Sequence, residues 1–474
     1  MLLRLSVTNF LSIDTPVEFS MLSSKETQHG GRLAVAEGLA GRILQTAAIW
    51  GGNASGKSNF CKVLQYAQWM VSHGTKPDAS TSRRPFKLRK AAAREPSRFE
   101  FDILVESESE GDKEKAFRYT FAVTGREVVE ESLVELRPAS IRPYFSRKVV
   151  EGGGEPAWTL DWWERKNISE DERLFAKFVA RGTKGNQLFL HEAMDRNLEL
   201  LAPVFRWFRD QLVVVEPEDN FLTMDTEEPE RGELREFAAS LLRAAGTGID
   251  EIEALQVPAA AIGMPTEVRE KVLDAIKSDN EGVILRSPDH GRFSVFRKDG
   301  ELLTSRLVTY RTTTEGLRVQ FELSEESDGT RRVFDLSPLF LDLEDSGCRK
   351  VYVIDEFDRS LHGEMSRRLL EHYFDGRNKS TRAQLIFTAH DLFLMDQSLL
   401  RRDEMWFVDR SPDGATKLNC LSEHKSLRYD KDVRKAYLEG QFGGMPRIID
   451  FPKRPKRKVN EDSVGQPKLP GFEV

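Results

Sequence analysis

The chain has 474 residues, enough for a large core and two lobes, since single cores stop growing at about 250–300 residues. Seventy Lys and Arg against 77 Asp and Glu give a formal charge of −7, which excludes a global positive field for nucleic acid and leaves only local patches. Cys61, Cys348 and Cys420 lie far apart with no Cys-x-x-Cys spacing, and no stretch approaches ~18–20 apolar residues, so the reading is a cytoplasmic chain with neither disulfide framework, zinc pairs nor membrane span.

Residues 1–19 carry two short β patterns around Asn9-Phe10-Leu11-Ser12, and a Gly-rich turn near Gly30-Gly31 leads to the apolar run Ile43–Trp50. Gly51-Gly52-Asn53-Ala54-Ser55-Gly56-Lys57-Ser58 follows, then Asn59 and a helical pattern through Phe60, Val63, Leu64, Ala67, Met70 and Val71. Strand, glycine loop and helix in that order meet the G-x-x-x-x-G-K-S pattern. Glycines let backbone N–H groups wrap a phosphate, the helix N-terminus attracts its charge, Lys57 reaches the β- and γ-oxygens, and Ser58 ligates magnesium. The segment 51–59 is therefore expected to bind a nucleotide.

Arg83, Arg84, Lys87, Arg89, Lys90 and Arg94 crowd the next stretch, which reads first as a solvated loop and second as a phosphate-binding patch. Phe99–Val105, Phe117–Val123 and Val128–Leu136 alternate apolar with polar residues, which predicts an antiparallel meander. From about Leu160 to Leu255 the period becomes helical, in Leu174, Phe175, Phe178, Val179 and again in Leu198, Leu201, Val204, Phe205 and Phe208; Leu234–Ala245 and Pro265–Ser278 add two helices. Alternation returns from Gly291 to Leu323, read as a return to the nucleotide sheet, before a helix over about Thr330–Leu343. Phe451–Val474, rich in Pro, Lys and Arg, is expected to be a disordered basic tail.

Val351-Tyr-Val-Ile-Asp355-Glu356 is a buried-strand run ending in two acids. Opposite a P-loop, Asp355 would hold magnesium and Glu356 would polarise the attacking water. Leu385-Ile-Phe-Thr-Ala-His390 is a second such strand, with His390 at the end where ligands collect in open α/β sheets. Glu326-Ser327-Asp328-Gly329-Thr330-Arg331-Arg332 precedes the helix leading to Asp355; alone it is an N-cap, with Ser327 capping the helix.

Taken together, Gly51–Ser58, Ser327–Arg331, Ile354–Glu356 and His390 resemble the SMC-like branch of ABC ATPases. More closely, Ser327-Asp-Gly-Thr-Arg-Arg, Asp355-Glu-Phe-Asp-Arg-Ser-Leu-His, Leu385-Ile-Phe-Thr-Ala-His-Asp and Tyr437-Leu-Glu-Gly-Gln-Phe-Gly-Gly-Met-Pro resemble the AAA-fifteen group of bacterial ABC-type ATPases. Pro85-Phe-Lys-Leu and Thr247-Gly-Ile share in the likeness. The resemblance implies an α/β P-loop NTPase of ABC-head type, a mixed sheet with a flanking antiparallel β-meander and a helical insertion. Residues 1–160 and 286–450 would form the two parts of the head, 161–285 the insertion and 451–474 the tail.

It also implies Mg²⁺ and ATP, a homodimer or higher homo-oligomer closing around the nucleotides, and a signature loop, Ser327, Asp328, Gly329 and Thr330, that reaches the partner's nucleotide. Glu326 stands where the usual signature has Leu and Asp328 where it has Gly. Ser360-Leu361-His362 would be the D-loop, with His362 in place of the usual Asp. No Gln occurs from Phe101 to Asn186, so no Q-loop is placed and Gln187 is only a distant candidate for its glutamine. Relatives of this kind occur in phage-defence and abortive-infection loci beside a nuclease or toxic effector.

Four functions are open at this stage: an ATPase switch controlling such an effector, a DNA repair or recombination clamp of SMC-like type, a self-contained Toprim nuclease, and a module that binds ATP without hydrolysis. Asp430-Lys-Asp432 follows no apolar strand, and the roughly 80 residues after His390 are too few for the βαβ units of a Toprim domain. Glu356 argues against the non-hydrolysing module, since nothing structural asks for a second acid there.

Overall fold

The computed structural model describes residues 1–107, 114–149, 156–160, 168–218, 229–258, 267, 270–272, 276, 282–287, 291–298, 301–424 and 432–445. β1 (Leu2–Thr8) and β2 (Val17–Ser20) pair antiparallel. β3 (Thr46–Gly51) is buried throughout and feeds α1 (Lys57–Ser72), which ends just before the left-handed Gly74. β4 (Ser97–Glu106), β5 (Glu114–Val123), β6 (Val128–Arg137), β7 (Ser140–Lys148) and β8 (Ala157–Thr159) form the expected meander, and β4 pairs with β1. The result is one seven-stranded sheet in the order β2-β1-β4-β5-β6-β7-β8.

α2 (Glu170–Gly182) opens on a Ser169/Glu172 capping box. α3 (Phe189–Asp195) and α4 (Ala202–Arg206) follow, and a π-turn over Trp207–Gln211 leads into β9 (Leu212–Val215), then α5 (Pro229–Ala244). β10 (Glu251–Pro258), β11 (Gly282–Ser287), β12 (Gly291–Lys298), β13 (Glu301–Thr312) and β14 (Arg318–Glu322) are joined by antiparallel pairing. The C-terminal part is α6 (Asp328–Glu344), β15 (Val351–Ile354), α7 (Gly363–Phe374), β16 (Gln384–Thr388), β17 (Met405–Arg410), β18 (Thr416–Cys420) and α8 (Val433–Leu438).

The central sheet has the order β18-β17-β3-β16-β15-β9, parallel except for β18. Its central strands β3, β16 and β15 are buried throughout, as a covered parallel sheet requires. Ala47, Ile49, Val351 and Val353 join one core cluster with α1 and the seven-stranded sheet, while Ala48, Trp50, Tyr352 and Ile354 join a second with α5, α6 and α7. The two-residue period thus sends alternate side chains into different cores. This is an α/β P-loop fold with a flanking antiparallel sheet.

Two sequence expectations change. The span 161–285 is not one helical insertion: β9 within it is the edge strand of the central sheet, pairing with β15. A four-residue Leu-Val-Val-Val run between helices is too short for periodicity to separate it from them. The alternating segments from Gly291 to Leu323 do not rejoin the nucleotide sheet but lie in a separate sheet with β10 and β11. Pro265–Ser278 lies mostly, and the tail 451–474 entirely, outside the described residues. Among the described residues no helix is long and apolar enough to cross a membrane, and all three cysteines are buried free thiols.

Candidate functional site

The parallel register brings four strand ends to one level. Ile354 stands opposite Phe387 and Val215, Thr388 opposite Ile49, and Gly51 opposite Val408. The loops after β3, β15, β16 and β9 therefore emerge together, carrying the P-loop, Asp355-Glu356, His390 and Glu216.

Two residues of the P-loop take left-handed backbone, Ala54 at φ 60° and Gly56 at φ 117°. Glycine is required at Gly56 for a second reason: a Cβ there would lie 2.3 Å from Thr416 Oγ1. Thr416 Oγ1 sits 2.7 Å from Ser12 Oγ and donates to the Ser55 carbonyl at 2.9 Å; Asn59 Nδ2 donates to Ser12 Oγ at 2.7 Å. The loop is thus braced by the N-terminal turn and by β18. Lys57 is almost fully buried and donates to the Gly51 carbonyl at 2.6 Å and the Gly52 carbonyl at 3.3 Å. Burial lowers its ammonium pKa, and the carboxylates of Asp355 and Glu356 act in the opposite sense.

The acids are fixed by Thr388. Its hydroxyl donates to Asp355 Oδ1 at 2.7 Å and accepts the Glu356 N–H at 2.8 Å. Glu356 holds φ 50°, an uncommon conformation for a glutamate and a form of strain found at functional sites. Its carbonyl accepts from Arg332 at 3.1 Å, while its carboxylate lies 4.0 Å from His390 Nε2. Asp358 accepts the backbone N–H groups of His390 and Asp391, which fixes the histidine loop on the acid loop.

A cleft beside α1 is lined by Ser58, Gln65, Asp355, Glu356, Arg359 and Glu216. Gln65 donates to Glu216 at 3.1 Å. Gln187 is elsewhere: it donates to the Thr75 carbonyl and its own carbonyl accepts from the buried Arg147. The loop after β9, the strand beside β15, presents Glu216 to this cleft.

A family profile described as "AAA domain, putative AbiEii toxin, Type IV TA system" matches residues 47–396, nearly three quarters of the chain, leaving out β1, β2 and the N-terminal turn at one end and β17, β18 and α8 at the other. The chain belongs to this AAA-domain family. No curated protein matched it. Two solved structures align over most of its length at low similarity. The first is an SmcHead bound to the C-winged helix domain of ScpA, 14% identical, covering 90% of this chain and 99% of that one, with TM-score 0.38. The second is the recombination mediator protein RecF-ATPrS of the RecFOR pathway, 12% identical, covering 88% and 98%, with TM-score 0.32.

In this AAA-domain protein the donors fit a hard divalent cation. Ser58 offers a hydroxyl and Asp355 a carboxylate on the same cleft, the oxygen-only pairing that Mg²⁺ takes together with phosphate oxygens and water. Among the described residues no cluster of three His, Cys, Asp or Glu side chains could hold a metal alone, so the cation would depend on the substrate's phosphates. The buried Ser55 Oγ has no hydrogen-bond partner, a polar atom facing the P-loop with capacity to spare.

Ser327, Asp328, Gly329 and Thr330 do not line this cleft. Ser327 caps α6, accepting the Thr330 N–H at 3.1 Å, and a Cβ on Gly329 would stand 2.8 Å from the Ser360 carbonyl. The turn expected to be the signature is thus packed on the Ser360 loop of its own chain. Ser360 is left-handed at φ 62°, and His362 caps α7 by accepting the Glu364 N–H at 3.2 Å. Glu326, the departure at the usual leucine, is clasped by Arg311 at 2.7 Å through both nitrogens and by Thr309 at 2.5 Å. Thr388, Asp358 and Arg332 lie inside the motifs read from the sequence but had no role assigned to them, and Glu216 lies outside every motif.

Proposed function

We propose that the chain binds and hydrolyses ATP, and that ATP closes a homodimer whose state controls a separately encoded effector. The observation that carries this reading is the convergence of Lys57, Ser58, Asp355, Glu356 and His390 at one edge of the sheet. Backbone N–H groups of residues 52–58 and the start of α1 hold the phosphates. Lys57 leaves the Gly51 and Gly52 carbonyls for the β- and γ-oxygens. Glu356, oriented through Thr388 and Arg332, takes the proton of the attacking water, and His390 holds the γ-phosphate. Mg²⁺ when bound neutralises charge on the β- and γ-oxygens, with Ser58 and Asp355 as its protein donors.

Signature residues that face away from their own cleft suit a contact made across a dimer, where the γ-phosphate completes a surface that neither subunit has alone. Membership in a family described by a toxin–antitoxin system, with the likeness to the AAA-fifteen group, supports a role in bacterial anti-phage defence. A second reading, an SMC-like clamp on DNA, draws on the exposed cations Arg84, Lys87, Lys90 and Arg94; salt-dependent DNA binding would favour it.

Phosphate release from Mg-ATP tests the chemistry. Lys57→Ala is expected to lose nucleotide binding, and Glu356→Gln to keep ATP while hydrolysis falls by roughly 10²–10⁴. Equal hydrolysis by wild type and Glu356→Gln would refute the assignment.

A further inference from the structure

We infer that a second cleft, on the opposite flank of the P-loop from the acids, receives the nucleoside end of the bound triphosphate. The inference rests on the nucleotide reading above and adds the part of the site that grips base and sugar.

β3 lies between β16 and β17. The acid and histidine loops all rise on the β16 side, so a triphosphate with its γ end toward Asp355, Glu356 and His390 points its other end toward β17 and β18. On that flank the structure holds a cleft of about 430 Å³, whose floor includes Gly52, Asn53 and Ser55 of the P-loop itself. Its size lies within the range of small-molecule sites.

The walls suit a flat ring. Leu88, 63% exposed, lies against the β17–β18 turn: a Cβ on Gly414 would stand 2.3 Å from Leu88 Cδ1. Met445 contributes a second apolar wall, and the Asp409 and Asp413 carboxylates supply acceptors for ring N–H or ribose hydroxyl donors. An apolar side chain so exposed does nothing for the core, but beside a phosphate loop it offers a face for an aromatic base.

The same cleft gives a role to Tyr437–Met445, the C-terminal stretch that the nucleotide motifs leave unexplained. Gly443 and Gly444 are both left-handed, at φ 73° and 74°, and a Cβ on Gly444 would approach the Val408 carbonyl to 3.1 Å and Gly51 Cα to 3.5 Å. The loop is thus pressed onto the first residue of the P-loop. Tyr437 secures it, donating to the Gly444 carbonyl at 2.9 Å while its ring stacks on Phe407. This stretch sets Met445 at the cleft.

Calorimetric titration of full-length wild type, Leu88→Asp and Met445→Asp with Mg-ATP and with inorganic tripolyphosphate tests the inference. Both variants are expected to bind ATP about tenfold or more weakly and to keep wild-type affinity for tripolyphosphate, which has no nucleoside. Wild-type ATP affinity in both variants would overturn the nucleoside cleft and leave the nucleotide reading standing; so would an equal loss for both ligands, which would mean a distorted P-loop. A wild-type protein that binds neither ligand would overturn both readings.

Discussion

Single side chains here carry more than one duty. Thr388 orients Asp355 through its hydroxyl hydrogen and Glu356 through its oxygen, so one small polar residue in a buried strand sets both acids. The P-loop and the acid pair were legible in the sequence because their chemistry is contiguous along the chain. The contacts of Thr388 and Asp358, which stand inside quoted motifs, and of Glu216, which stands outside them, were not, because each acts on residues brought near only by strand register.

Glu404 allows a test of burial at this scale. It is fully buried, accepts from Arg32 and the Arg401 N–H at 2.8 Å each, and desolvation raises its pKa from 4.5 to about 7 against the pull of Arg32. Between those values the folded chain keeps a proton that the unfolded chain has released, so stability falls as pH rises through that window. Denaturant unfolding of wild type against Glu404→Gln is expected to show the wild type losing roughly 1–3 kcal/mol relative to the variant from about pH 5 to pH 8. A constant difference would show that Glu404 is ionised throughout.

Among the elements, α6 ties the parts of the molecule together. Its N-terminus is capped by Ser327, its Arg332 holds the Glu356 carbonyl, and the residue before its cap, Glu326, is gripped by β13 through Arg311 and Thr309. A leucine at 326 would leave that grip empty. Glu326→Leu is therefore expected to cost about 2 kcal/mol through loss of charged hydrogen bonds and an unpaired Arg311. The double variant with Arg311→Leu should recover part of that loss in thermal unfolding, whereas additive losses would show that the pair is not coupled. At this scale the meander, α1 and α6 were readable from their periods. The assignment of β10–β14 to their own sheet was not, since alternation reveals a strand but not the sheet it joins.

The whole molecule presents a P-loop between two clefts, one lined by acids and one by Leu88 and Met445. The Ser327–Thr330 turn packs on the Ser360 loop, outside the cleft that holds the acids. Within one chain Ser327 serves as the cap of α6; in the dimer proposed above it would also meet the nucleotide of the second copy. Neither the −7 charge nor any sequence period points to a dimer; that expectation came only from the resemblance of Ser327–Arg331 to a signature loop.

The most direct test of the account is the mass of Glu356→Gln in solution, by light scattering at two protein concentrations, with and without ATP and magnesium. ATP binds without turnover in this variant, so the mass should double on adding Mg-ATP and stay at the monomer value without it at both concentrations. A mass that ignores ATP would contradict the nucleotide-closed dimer.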